Sequence, residues 1–186
     1  MQTKVTSIIL VMLLPGCAAT LNSKYKPKPA VPTAMVRLVA ETNSTGTMGR
    51  HYNFFLSEDN SCAAGPMTSL GGKLIAEDRQ VLPSTAIPAG QPITLVVQYR
   101  EGRVGQMRSC GNVARFAPEE GHSYDVLFHV TSQGERCNIS VQDAQLAPVS
   151  LQPSGDCYAQ MGPGKSPIPN GRALVTDVKV QVQRYP

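Results

Sequence analysis

No stretch of this sequence is long and apolar enough to cross a membrane as a helix, which takes about 20 apolar residues. Tryptophan is absent, and charged residues make up only 16% of the chain. The 17 Lys and Arg outnumber the 13 Asp and Glu only slightly, and the surplus is spread along the chain. That distribution excludes the clustered basic footprint of a nucleic-acid binder. No cysteine pair has the close spacing of a zinc knuckle, and none of the three histidines stands beside a cysteine in a ligand pattern. A Gly-x-Ser-x-Gly nucleophile elbow is also missing. No window has a helical period of useful length, so an all-α fold is excluded as well.

What is present begins at the N-terminus. Lys4 precedes an apolar run over residues 5–14, which breaks at Pro15-Gly16 and is followed at once by Cys17. The run is half the length of a membrane span and has the size of the apolar region of a secretory signal peptide. Leu14-Pro15-Gly16-Cys17 resembles the lipobox of bacterial lipoproteins: an aliphatic residue, then a small one, then the cysteine. The resemblance implies cleavage before Cys17, a diacylglycerol on its thiol and an acylated new N-terminus. Each buried CH₂ contributes about 0.8 kcal/mol, and one acyl chain anchors only reversibly, so three would hold the protein on the membrane for good. Ala18, where an Asp would signal retention at the inner membrane in enteric-type bacteria, implies transfer to the outer membrane. Residues 1–16 are therefore expected to be a signal peptide. Residues 17–33, with Lys24, Lys26 and Lys28 among three prolines, are expected to be a lipidated tether with little to bury, extended at about 3 Å per residue where it is stiff.

With Cys17 assigned to lipid, four cysteines remain: Cys62, Cys110, Cys137 and Cys157. An even number in an exported chain reads as disulfides formed in an oxidising compartment. Three pairings are open. Cys62–Cys110 with Cys137–Cys157 is favoured, because each would tie a loop to a strand nearby in the chain at roughly 3–4 kcal/mol apiece.

Residues 34–186 read as one all-β domain. Two-residue alternation marks strands at 34–42, at 50–57 with Tyr52, Phe54 and Leu56 on one face, and at 93–100 with Ile93, Leu95, Val97 and Tyr99 together. A short strand follows at 113–116. The run 123–131 sets Tyr124, Val126, Phe128 and Val130 against Asp125 and His129, and further strands fall at 137–141 and 174–182. Residues 68–80 fit a strand or a short helix. Turn-rich joins, such as Asp59-Asn60-Ser61 and Pro153-Ser154-Gly155, separate the strands. Seven or eight such strands predict a single antiparallel β-sandwich, transthyretin-like or Ig-like. Two stretches, 81–97 and 115–126, resemble turn phrases of transthyretin-like and PEGA-like sandwiches: Pro88-Ala89-Gly90 leads into one strand, and Phe116-x-Pro118-x-x-Gly121-x-x-Tyr124 into the next. There Gly90 and Gly121 would make tight turns and Tyr124 would return to the core. This likeness bears on fold and on no function.

Candidate chemistry is sparse. Residues 159–166 match the relaxed phosphate-loop pattern, but Pro163 removes an N–H and Pro167 and Pro169 bar the helix such a loop needs. His51, His122 and His129 fall on a strand edge, a turn and a strand's outer face, with no ligand spacing. The sequons at Asn43 and Asn138 would stay bare in a bacterial lipoprotein. The expectation is a non-enzymatic, cofactor-free lipoprotein of the envelope that faces the periplasm from the outer membrane and docks another envelope protein. Loops 102–105 and 163–171 are the expected contact surfaces. The alternative is a periplasm-facing binder of a small ligand or an enzyme inhibitor.

Overall fold

The computed structural model describes residues 25–45, 48–57, 67–75, 77–153, 158–161, 164–167, 171 and 174–177. The elements in chain order are β1 (Thr33–Thr42), β2 (Gly49–Ser57), β3 (Thr68–Ile75), β4 (Arg79–Val81), β5 (Thr85–Pro88), β6 (Ile93–Arg103), β7 (Gln106–Phe116), β8 (Ser123–Thr131), β9 (Arg136–Asp143), β10 (Tyr158–Met161), β11 (Gly164–Pro167) and β12 (Leu174–Asp177). Among the described residues the only helical turn is a 3₁₀ turn at Ser132–Gly134.

Two five-stranded sheets result. The first runs β4-β1-β8-β9, with β5 also lying on β1; the second runs β12-β7-β6-β2-β3. The alternation read from the sequence explains how they meet. Val36, Leu38, Tyr124, Val126, Phe128 and Val141 of the first sheet share one core with Tyr52, Phe54, Leu56, Ile93, Leu95, Val97, Tyr99 and Phe116 of the second. Each such side chain contributes about 1.5–3 kcal/mol when fully buried. Tyr52 links the sheets: its ring lies 4.9 Å from Tyr99 and edge-on to Phe128 at 6.0 Å.

The expectation of an all-β fold is met, but the sheets are not wholly antiparallel. β1 pairs in parallel with β8 from Met35↔Ser123 to Thr42↔Val130. Both strands are inward-facing at alternate residues, and β1 is the interior strand between β8 and the β4–β5 edge. The strand expected at 113–116 is much longer, because β7 pairs with β6 from Ile93↔Phe116 to Arg103↔Gln106; pairing overrides the weak strand preference of Ser109 and Gly111. Residues 68–80 hold β3 and β4, not a helix. β5, which follows Pro83 and ends on Pro88, is an edge strand that the prolines hid.

The turn phrases behave as expected. Gly90 and Gly121 adopt φ of 78° and 74°, a region open to glycine without strain. Tyr124 is buried and its hydroxyl accepts a hydrogen bond from Glu119 N–H at 2.9 Å. Within the stretch expected to have little to bury, Tyr25 is buried in the core and its N–H donates to Ser69 O at 2.8 Å.

The favoured disulfide pairing is wrong. Cys110 of β7 is bonded to Cys137 of β9, which excludes both Cys62–Cys110 and Cys137–Cys157. Sequence proximity misled because β7 and β9 belong to different sheets whose edges meet. Asn112 Nδ2 donates to Cys137 O at 3.3 Å, and Gly171 bridges the same edges, donating to Gly111 O at 2.9 Å and accepting from Cys137 N at 3.1 Å. Cys62 and Cys157 lie outside the described residues. So do residues 1–24, with the expected signal peptide, Cys17 and the first part of the expected tether, the turn at 59–61, and the end of the last predicted strand beyond 177.

Candidate functional site

The Tyr99–Arg103 end of β6 concentrates the unusual chemistry, on both faces of its sheet. On the inner face, alternation carries the apolar row Ile93, Leu95, Val97, Tyr99 on to Glu101, whose side chain is fully buried. A lone buried carboxylate is strongly disfavoured, and this one accepts bonds from three donors. Ser44 Oγ and Tyr99 Oη donate to Oε2, and Arg103 Nε donates to Oε1 at 2.6 Å. Burial pushes the carboxyl pKa up, but the bonds from Ser44, Tyr99 and Arg103 and the Arg103 charge outweigh it, so the group is held below its ordinary value. Burial and the bond to Glu101 raise the Tyr99 phenol, and burial raises Tyr52 to about 12.

Neighbouring loops close over this carboxylate. Arg103 Nη2 donates to Ser44 Oγ at 2.8 Å and to Gln133 O at 2.6 Å, and Arg108 Nη1 reaches the same carbonyl at 2.8 Å. Gln133 takes φ of 56°. Its side-chain oxygen accepts from the Thr45 N–H and hydroxyl, and its amide nitrogen donates to Asn43 O at 2.9 Å. Gly134 sits directly on the carboxylate: a Cβ there would lie 2.6 Å from Glu101 Oε1. Arg50, opposite Glu101 on β2, donates to Ser44 O and to Asp78 Oδ1, the latter at 2.8 Å. With both Glu101 oxygens engaged, this constellation joins the two sheets.

The outer face at the same end is different. A shallow cleft of about 340 Å³ is lined by Met48, Gly49, His51, Arg100, Gly102 and Met107, with Arg50 and Glu101 contributing from below. Gly49, Gly102 and Met107 sit side by side in the register, as do His51 and Arg100. Asn53 Nδ2 lies 3.0 Å from His51 Nδ1. An amide nitrogen can only donate, so Nδ1 accepts and the ring proton sits on Nε2. Burial, then the Arg100 charge, holds His51 below its ordinary pKa, so it is neutral at pH 7. Among the described residues no carboxylate pairs with Arg100.

The three histidines are not brought together. His122 lies 3.5 Å from Glu119, and His129 Nδ1 lies 3.2 Å from Glu41 Oε2. Among the described residues no group of three His, Cys, Asp or Glu side chains is placed to hold a metal. The phosphate-loop look-alike is a hairpin: β10 pairs with β11 from Tyr158↔Pro167 to Met161↔Gly164. Of the expected contact loops, 102–105 is the β6–β7 hairpin tip, and Pro163 lies outside the described residues. Sequence reasoning missed Glu101 because the strand was ended at Arg100; the signal was a glutamate at the next inward position of an apolar row. No family model matches the chain, and neither the curated proteins nor the solved structures contain a significant match.

Proposed function

We propose that this chain is a lipid-anchored envelope protein whose domain, a β-sandwich of the transthyretin-like kind, docks another envelope protein and catalyses nothing. The observation that carries the anchoring is Leu14-Pro15-Gly16-Cys17 at the end of a short apolar run. Removal of Cys17 from the cysteine count leaves an even number for disulfides, and the Cys110–Cys137 bond fits an oxidising compartment such as the periplasm. The outer membrane is the proposed destination, from Ala18. Docking is supported over catalysis by the state of the ionisable groups: Arg37 is paired with Asp125, Glu41 with Arg79 and His129, and Glu101 is bound by three donors. The second reading, a small-ligand binder, would use clefts such as the two of about 280 and 340 Å³ found among the described residues, at the bottom of the roughly 300–1,000 Å³ range of ligand pockets.

Cys17→Ala, followed by membrane fractionation and palmitate labelling, tests the anchor. The variant is expected to leave the membrane fraction and take up no label. A Cys17→Ala protein that stays on the membrane overturns the proposal.

A further inference from the structure

The outer-face cleft at the β6–β7 end identifies the docking surface and the chemistry of its partner. We propose that Arg100, His51, Met48 and Met107 receive an acidic side chain flanked by aliphatic ones, presented by a partner protein. The inference rests on the docking function proposed above and names the site at which docking occurs.

Three observations converge. The first is charge. Arg100 is half-buried, desolvation lowers its pKa, and it has no carboxylate partner among the described residues, unlike the paired Arg37, Arg50, Arg79 and Arg103. His51 adds a neutral Nε2–H donor beside it. Glu101 is the acid next in sequence, but its carboxylate faces the interior and is consumed by Ser44, Tyr99 and Arg103. The outer face of this end therefore presents the Arg100 and His51 donors with no carboxylate paired to them among the described residues. A carboxylate would take a charge-assisted bond from Arg100 and a second bond from His51.

The second is apolar surface. Met48 is 77% exposed, Met107 is 44% exposed, and Val104 at the adjoining hairpin tip is 89% exposed. The floor between the methionines is bare backbone, since Gly49 faces Gly102 and Gly102 faces Met107. Flexible thioethers over a backbone floor accept aliphatic side chains of varied shape. A free inorganic anion would leave this surface unused.

The third is position. The chain comes in at Tyr25, bonded to Ser69, which lies beside Phe55 and Val96 near the start of β6. Gly102 lies about 20 Å further along that strand, at about 3.3 Å per residue. The cleft thus sits toward the end of the domain away from Tyr25, the side from which the proposed anchor would lead.

The test uses the full-length protein in detergent, labelled at its methionine methyl groups, with a short peptide alternating leucine and glutamate as probe. The expected result is saturable shifts of the Met48 and Met107 methyls, with Met35 on the other sheet unmoved. Arg100→Gln should weaken binding about tenfold, the loss expected for one charge-assisted hydrogen bond. Gly102→Val, which fills the floor and retains the charge, should weaken it as well. Equal shifts with a control peptide alternating leucine and lysine, with inorganic phosphate or with anionic vesicles overturn the inference, as does no shift at all. In cells, a photocrosslinking residue at Val104 should capture a protein whose capture is lost with Arg100→Gln, whereas one at the exposed Ser140 should not. Capture from Ser140 but not Val104 overturns this surface and leaves the docking function standing. Capture from neither, with an intact membrane anchor, overturns both.

Discussion

Replacing Glu101 by glutamine tests whether the buried carboxylate holds the two sheets together at the β6–β7 end. The substitution retains the shape and one acceptor oxygen. It removes the charge that faces Arg103 and offers an amide N–H to Ser44, Tyr99 or Arg103, all of which are donors in the native arrangement. Breaking a fully buried ion pair costs about 3–5 kcal/mol. Arg103 is 22% exposed and keeps its bond to Gln133 O, so about 2–3 kcal/mol is expected here. For a chain of this size that lowers Tm by about 4–12 °C.

The pH dependence supplies a second readout. The folded-state pKa of Glu101 lies below its ordinary value of 4.5, so the unfolded chain binds the proton first as the solution is acidified. Its contribution to stability is therefore fully present above pH 4.5 and is lost as pH falls through the folded pKa. Urea unfolding of wild type and Glu101→Gln between pH 3 and pH 7 should show the largest difference at neutral pH, shrinking below about 4.5. Gly134→Ala should destabilise the same contact from the other side, since its Cβ would sit 2.6 Å from Oε1 at a φ of +87°. A Glu101→Gln protein within about 0.5 kcal/mol of wild type at pH 7, or a difference between the two that does not change with pH, would refute the reasoning.

Three further outcomes are expected. Non-reducing peptide mapping should recover a Cys110–Cys137 link and join Cys62 to Cys157, the pair that remains. Replacing both Cys110 and Cys137 by alanine should cost about 3.5 kcal/mol by loop-closure entropy for a sequence separation of 27, read by denaturant unfolding. Phe128→Ala should cost about 3–5 kcal/mol, because the ring is wholly buried against Tyr52; a loss below 1 kcal/mol in a thermal melt would mean the two sheets do not share this core.

How much was legible in the sequence follows from which contacts are local. Side-chain direction in a strand alternates within the strand itself, so the inward rows of β1, β2, β6 and β8 could be read residue by residue, down to Tyr124 turning inward and Asp125 and His129 outward. Tight turns carry their own chemistry, which is why Gly90 and Gly121 were placed correctly. β7 was cut short and β5 missed because Ser109, Gly111 and Pro88 are poor strand formers that become strands only through a neighbour's hydrogen bonds.

The sequence by itself determined the β class, the inward face of most strands and the break at Pro15-Gly16-Cys17, because each rests on residues a few positions apart. Only the tertiary structure decided that β1 runs parallel to β8, that Cys110 meets Cys137, and that Glu101 is closed in by Ser44 and Gly134 while Arg100, one residue earlier, has no carboxylate paired to it among the described residues. Those depend on which strand edges lie together in space. Side-chain alternation says which way a residue points, but not what it meets there.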